Sequence, residues 1–238
     1  MREGAAARTA LVTGASRGIG RATCVRLARD GFDIIAVART ASELESLRLQ
    51  VESFGRSCWG IALDLRDGAA IEAALDGVTA DVLVNNAGVG IIKPLTELTS
   101  DEWRTMLDVN VNALYHVTRA VLPGMIERGV GHVCTVGSIA GRSAFAGGSC
   151  YAATKAFVTA WAESLMLEVR DQGVKVSVVM PGGVATDFGG KPANASDGWK
   201  LSAADVAEAI AHVIATPASV LVHRVEVRTL NSPPKAGR

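Results

Sequence analysis

Neither sign of charge prevails in this sequence: 24 lysines and arginines stand against 24 aspartates and glutamates in 238 residues. Such a chain carries no field that would draw in nucleic acid or an anionic membrane, and no run of like charge forms a tail. Long apolar runs are missing as well. Runs such as Val176 to Met180 fall far short of the roughly 18 residues a membrane span requires. Met1 to Arg8 lacks the apolar core of a secretion signal and reads as a frayed lead-in. These absences point to a cytoplasmic protein without nucleic-acid or membrane partners. The four cysteines (Cys24, Cys58, Cys134, Cys150) include no CxxC and no metal-like pairing with the four histidines (His116, His132, His212, His223). They read as reduced, buried small residues, Cys150 being the one to watch because it adjoins Tyr151. The histidines read as structural or solvated. No metal is expected.

No repeat, low-complexity stretch or Pro/Gly-rich linker divides the chain, so one domain over 1–238 is expected, with 1–8 and 232–238 as loose ends. Short apolar runs alternate with longer helical patterns along nearly its whole length. Strands are expected at Thr9–Thr13, Asp33–Ala38, Ser57–Leu63, Asp81–Asn85, Gly131–Gly137, Lys175–Met180 and Val220–Arg228. Helices fall at 18–30, 41–54, 67–77, 99–128, 150–172 and 202–216. The strands are continuously apolar, as when helices cover both sheet faces. This order predicts an α/β fold, a Rossmann-type doubly wound parallel sheet of about seven strands. In the last strand Arg224, Glu226 and Arg228 alternate with Val225 and Val227, which suits an edge with one wet face. The long irregular stretch from Pro181 to Lys200 is expected to act as a lid or binding loop, with 184–200 as a substrate loop.

Strand 9–13 runs into Thr13-Gly14-Ala15-Ser16-Arg17-Gly18-Ile19-Gly20 and then a helical pattern. Glycines in such a turn let backbone approach a pyrophosphate, and the helix start adds free N–H donors. The spacing is GxxxGxG rather than GxGxxG, and no Lys-Ser or Lys-Thr follows to make a P-loop. The second strand lacks the terminal acid that takes the ribose hydroxyls in NAD sites. It ends instead in Ala38-Arg39-Thr40. The Arg39 guanidinium can grip a 2′-phosphate, Arg17 can approach the same group, and Thr40 can donate a further hydrogen bond. NADP(H) is the expected cofactor.

Tyr151-Ala152-Ala153-Thr154-Lys155 opens a helical segment and sets a phenol and an ammonium on one face, since residues i and i+4 align. A free phenol titrates at about 10, too high for acid–base work at neutral pH, and a nearby cation favours its ionised form. A shift of about three units requires roughly 4 kcal/mol of differential stabilisation, at about 1.36 kcal/mol per unit. Ser138 ends the strand at 131–137, where strand ends of an open sheet face the ligand crevice. It lies in Val136-Gly137-Ser138-Ile139-Ala140, not in a GxSxG hydrolase elbow.

With Asp64, Asn85-Asn86-Ala87-Gly88, Asn110 and Pro181-Gly182-xxx-Thr186 added in order, the chain resembles the single-domain branch of the short-chain dehydrogenase/reductase family from about residue 9 to 186. Beyond Thr186 the likeness lies only in overall pattern. The resemblance implies a catalytic set of Asn110, Ser138, Tyr151 and Lys155. Tyr151 would be the general acid in reduction and the base in oxidation. Lys155 would lower its pKa and hold the nicotinamide ribose. Ser138 would steady the substrate oxygen, and Asn110 would hold a water leading protons from Lys155 to solvent, or mend a helix kink, or both. The cofactor would lie along Gly14, Ser16, Arg17, Gly18, Ile19, Gly20, Arg39, Thr40, Asp64, Leu65, Asn86, Ala87, Gly88, Tyr151, Lys155, Pro181, Gly182, Val184 and Thr186. Asp64 would accept from the adenine amino group. Asn86 and Gly88 would line the adenosine side, although the Asn85-Asn86 pair also reads as a structural turn.

Ser138, Tyr151, Phe145 and Phe188 are the expected substrate contacts. Val89–Ile92, Ile139–Ala146 and the 184–200 loop are candidate walls, to which Trp199 would also add apolar surface. They suggest a ketone or 3-oxoacyl-type carbonyl, or the matching secondary alcohol. The segments 99–128 and 150–172 carry apolar residues on more than one face, including Trp103, Leu107, Leu114, Trp161 and Leu165. Relatives in the family commonly pair these helices, which implies a homo-oligomer, a tetramer or a dimer. Two rivals differ in kind: a non-catalytic NADP(H)-binding sensor or scaffold, and an isomerase that uses the cofactor transiently.

Overall fold

The computed structural model describes residues 7–186, 188 and 198–230. Within them lies one seven-stranded sheet, every strand parallel to its neighbours, in the order β3-β2-β1-β4-β5-β6-β7. The strands are β1 (Thr9–Thr13), β2 (Asp33–Ala38), β3 (Cys58–Ala62), β4 (Val82–Asn85), β5 (Gly131–Val136), β6 (Val174–Pro181) and β7 (Arg224–Val227). The helices are α1 (Gly18–Arg29), α2 (Ala41–Glu52), α3 (Gly68–Ala74), α4 (Ser100–Leu107), α5 (Ala113–Glu127), α6 (Ser149–Val169) and α7 (Ala203–Ile214). The chain starts at the middle of the sheet, winds outward to β3, then returns past β1 to β4 and beyond. The order reverses between β1 and β4, and in such sheets ligands settle beyond the carboxyl ends of strands at that point.

Alternation along the strands explains the doubly wound form. Val12, Ile34, Ala36, Val84 and Cys134 face one apolar cluster with α1, α2 and α7. Leu11, Ile35, Val37, Leu83 and Val133 face the other, with α3, α5 and α6. Each strand is therefore apolar on both faces, and the period-2 polar pattern of a half-wet sheet is absent. At the margins this changes. Trp59 on edge strand β3 is 54% exposed, and β7 keeps its charged side chains in ion pairs, Glu226 with Arg142 and Arg228, and Arg224 with Glu163.

Three expectations are corrected here. The helical stretch at 99–128 is not one helix: a π-helical turn, Asp108–Asn112, separates α4 from α5. The extra residue it accommodates turns Asn110 into the interior, a common use of π turns at functional sites. The last strand is shorter than Val220–Arg228, because Val222 and His223 bond to β6 outside the strand ladder. Arg8 is not frayed: its carbonyl accepts from Asp33 N–H at 2.9 Å and its guanidinium lies 4.4 Å from the Phe32 ring centroid. Residues 1–6 and 231–238, and 187 and 189–197 of the substrate loop, lie outside the described residues.

The amino-terminal half of the sheet holds a buried polar chain. His132 Nε2 lies 2.8 Å from Ser177 Oγ, which in turn donates to Val222 O at 2.6 Å. Since the serine proton is used on the carbonyl, His132 is the donor and is neutral. Burial pushes its pKa down to about 4. In the unfolded chain the imidazole titrates at about 6.5. Protons therefore bind the unfolded state preferentially between these values, and the stability this group confers is present above pH 6.5 and lost as pH falls toward 4. The loss is up to about 3 kcal/mol at about 1.36 kcal/mol per unit. Urea unfolding followed across pH 4 to 7 is expected to show this slope, flattened in His132→Gln; an unchanged slope would exclude His132 as its source.

Candidate active site

Beyond the carboxyl ends of the strands a cavity of about 730 Å³ runs from the β1–α1 turn to the start of α6. Its first section is the glycine turn. Gly14 and Gly18 have φ of 65° and 56°, in the left-handed region that glycine adopts freely. Arg17 is the N-cap of α1 and supplies no side-chain cap, so the first N–H groups of the helix have no side-chain acceptor among the described residues. Ser16, Arg17, Gly18 and Ile19 line the cavity, while Gly20 lies behind them, where a Cβ would stand 2.2 Å from Gly14 O. Gly20 thus lets the helix seat against the turn. Asn86 fixes the turn from the other side: its Nδ2 donates to Thr13 O at 2.9 Å and Gly14 O at 3.2 Å.

Arg39 lines the cavity beside Arg17, and Thr40 stands next to it as the exposed N-cap of α2, outside the lining. Asp64 and Leu65 follow β3. Asp64 does not stand alone, since Arg66 clasps its carboxylate through Nε (3.1 and 3.0 Å) and Nη2 (2.6 Å). That pairing, with Arg39 nearby, holds the carboxyl below its usual range. Arg66 itself lines the cavity and was missed in the sequence, where it reads only as a charge beside the Asp67 cap of α3. Ala87 and Gly88 complete this wall. Pro181, Gly182, Val184 and Thr186 form the opposite rim. The two ends of the substrate loop are joined by Ala185 N–H to Leu201 O at 2.8 Å and Leu201 N–H to Gly183 O at 3.0 Å.

The inner end brings together Ser138, Tyr151, Lys155 and Asn110. Ser138 caps a 3₁₀ turn, Ile139–Gly141, by accepting from Ala140 N–H at 3.1 Å, and it lines the same cavity as the Tyr151 phenol. Burial raises the Tyr151 pKa and Ser138 works against that rise. Ser138, not Lys155, is therefore the side chain that favours the ionised phenol here. Lys155 shares the helix face but lies deeper, where Nζ donates to Val136 O at 3.0 Å. Burial brings the ammonium down to about 8, so it is cationic at neutral pH.

Asn110 is 3% exposed, and both Nδ2 hydrogens and one Oδ1 lone pair are engaged. Nδ2 donates to Val89 O (2.9 Å) and Thr154 Oγ1 (3.0 Å), and Oδ1 accepts from Val89 N–H (2.8 Å). Thr154 passes its own proton to Tyr151 O at 2.8 Å. The kink-mending reading of Asn110 thus has a geometric basis. One further glycine was not legible as part of the site. A Cβ on Gly141 would lie 2.6 Å from Lys155 O and 2.7 Å from its carbonyl carbon, so only glycine lets the Ser138 turn close onto α6.

The outer wall is mostly apolar: Val89, Ile92, Ile139, Phe145 and Phe188, with Ser143 and Lys200 as polar members. Trp199 is not among the lining residues. The Phe188 ring packs 5.7 Å, centroid to centroid, from that of Tyr151, over the bare Cα of Gly90, where a Cβ would meet Phe188 Cε1 at 2.5 Å.

A glycine turn rimmed by arginine and a Ser–Tyr–Lys cluster in one crevice define a dinucleotide-dependent oxidoreductase site, and the comparisons agree. The short chain dehydrogenase family profile matches residues 8–196, and the chain belongs to that family. It is 36% identical over 233 residues to the NADP-dependent 3-hydroxy acid dehydrogenase YdfG of Escherichia coli (strain K12), covering 91% of this chain and 93% of the relative. It is 32% identical to the serine 3-dehydrogenase of Rhizobium radiobacter, covering 94% of each. Among solved structures, an alcohol dehydrogenase from the archaeon Thermococcus sibiricus, complexed with 5-hydroxy-NADP, superposes with a TM-score of 0.89 at 30% identity. That match covers 96% of this chain and 99% of the other.

Proposed function

We propose that this protein is an NADP(H)-dependent oxidoreductase acting on a carbonyl or the corresponding secondary alcohol, with Tyr151 as its proton-transfer group. The observation that carries the reading is that Ser138, Tyr151 and Lys155 meet in one cavity that is continuous with the arginine-rimmed glycine turn. The cavity fits a dinucleotide phosphate on its own chemistry. The uncapped start of α1 suits a pyrophosphate, Arg17 and Arg39 suit a 2′-phosphate, and Asp64 offers an acceptor for an adenine amino group. The bound dinucleotide supplies or takes up the hydride.

The chain's own residues do the rest. Tyr151 gives its proton to the carbonyl oxygen in reduction and takes it back in oxidation. Ser138 holds that oxygen and steadies the charge that develops there. Lys155, cationic at neutral pH, stabilises the ionised phenol left after proton transfer and holds the ribose. Asn110, at the π turn, keeps Val89 and α6 in register and leads protons outward through water. Phe145, Phe188 and the Val89–Ile92 segment receive the body of the substrate. The relatives named as dehydrogenases of hydroxy acids, serine and alcohols support a substrate with a secondary alcohol or ketone. A non-catalytic cofactor-binding module is disfavoured, because it has no need for the buried Ser138–Tyr151–Lys155 set.

The test is steady-state oxidation of NADPH or NADH against a panel of ketones, 3-oxo esters and aldehydes, with 3-hydroxy acids and secondary alcohols in the reverse direction. Turnover favouring NADPH is expected; equal efficiency with NADH would remove the role given to Arg17 and Arg39. Arg39→Ala is expected to lower kcat/KM for NADPH at least about tenfold while leaving NADH nearly unchanged, the scale of one charge-assisted phosphate contact. Four free, buried cysteines support a reducing, cytoplasmic setting, and no described helix is long and apolar enough to cross a membrane. Half-exposed Trp103, Tyr115, Phe157 and Leu167 on α4, α5 and α6 support a homo-oligomer, dimer or tetramer, built on these helices. Light scattering at micromolar protein decides this point.

A further inference from the structure

Behind Lys155, on the sheet side, lies a second and much smaller space of about 10 Å³. A buried water needs about 10–15 Å³ and two or more polar partners, so there is room for one molecule and no more. The lining includes Lys155, Thr135, Asn85 and Asn110. Thr135 is 2% exposed, and its hydroxyl has no hydrogen-bond partner among the described residues. Buried hydroxyls in native proteins seldom go unpaired. Thr135 and Asn85 are register partners across β5 and β4, so both side chains project from the same sheet face, toward α5 and α6. Lys155 approaches this space from α6. Its ammonium has three donors, and among the described residues one is used, on Val136 O.

We propose that this space is a water site, and that Thr135 is a positioning residue that acts on Lys155 through that water. The water accepts a hydrogen from the ammonium and donates one to Thr135 Oγ1, which satisfies the orphaned hydroxyl and solvates the inner side of the buried cation. The inference rests on the catalytic reading of Lys155 given above. It adds that a strand residue remote from the substrate sets the charge of that lysine. Tyr151, on the same helix, is the titratable neighbour at the cavity. The β4 and β5 strands and the π turn present Asn85, Thr135 and Asn110, none of which titrates, and burial is the one influence acting on the Lys155 ammonium. The water therefore has no carboxylate to compete with. Removing it takes solvation from the charged form, so the lysine loses its proton at lower pH.

Three proteins test this: wild type, Thr135→Val, which keeps the shape and removes the hydroxyl, and Thr135→Ser, which restores it. Crystal structures at a resolution that shows waters are expected to contain one ordered water between Thr135 and Lys155 in wild type and Thr135→Ser, and none in Thr135→Val. The kcat–pH profile for NADPH oxidation, with the fastest ketone of the panel, should move its basic limb to lower pH by about half a unit or more in Thr135→Val and return in Thr135→Ser. NADPH affinity should stay within about twofold throughout. A dry space in wild type would overturn the proposal, as would a Thr135→Val profile superimposable on wild type. A parallel Tyr151→Phe protein separates the two levels: if it retains activity, the catalytic reading fails, whereas the water is decided by density alone.

Discussion

Tyr151→Phe is expected to lower kcat by at least about 1000-fold, equivalent to about 4 kcal/mol of transition-state stabilisation. The substitution removes one oxygen and leaves the ring, so the contact with Phe188 and the packing over Gly90 persist. What disappears is the hydroxyl proposed to hand over the proton. NADPH binding, measured by fluorescence titration, should change by no more than about twofold, because the phosphate-gripping residues lie at the other end of the cavity. Residual activity above about a tenth of wild type would take the phenol out of the chemistry, since a general acid at its post contributes at least about 100-fold.

Gly141→Ala is expected to be the next most damaging single change, although the residue touches no ligand. An added Cβ would press on Lys155 O and the adjoining peptide at under 3 Å. Those atoms are helix backbone and have little room to yield. The 3₁₀ turn must therefore lift from α6, carrying Ser138 away from Tyr151. Overpacking of this kind costs about 1–3 kcal/mol of stability, and a misplacement of about 1 Å at reacting groups costs about 100-fold in rate. Thermal unfolding and steady-state kinetics on one preparation check both, with the loss expected in kcat and not in NADPH affinity. If affinity and kcat decline together, the substitution has disturbed the whole crevice and not the Ser138–Tyr151 alignment.

The strand positions and the glycine turn were legible because they rest on local signals. Continuous apolar runs announce strands covered on both faces, and Gly14, Gly18 and Gly20 announce a tight strand-to-helix turn. Ser138, Tyr151 and Lys155 could be read only together. As a lone YxxxK the pair is a common surface pattern, and the strand-end serine gives it meaning. Other features were not readable, because they depend on distance in space rather than along the chain. Nothing in Arg66 announces that it clasps Asp64, nothing in Gly141 that it meets the Lys155 carbonyl, and nothing in Thr135 that its hydroxyl faces a pocket behind the lysine. The π turn was hidden for another reason. Residues 99–128 keep a helical pattern throughout, and the extra residue in Asp108–Asn112 shows only when the hydrogen bonds are traced. Lys155 shows the limit of spacing arguments: i and i+4 predict a shared face, but not that the ammonium sinks to the Val136 carbonyl.

The engagement of Asn110 with both Val89 and Thr154 has a consequence for how such an enzyme changes its diet. One flank of the crevice is riveted to the helix that bears Tyr151, so remodelling that flank moves the proposed proton donor with it. Phe145, on the turn after Ser138, has no such tie to the π turn among the described residues. Exchanging Phe145 is therefore expected to change which substrates are taken, while the riveted side stays as a fixed chassis.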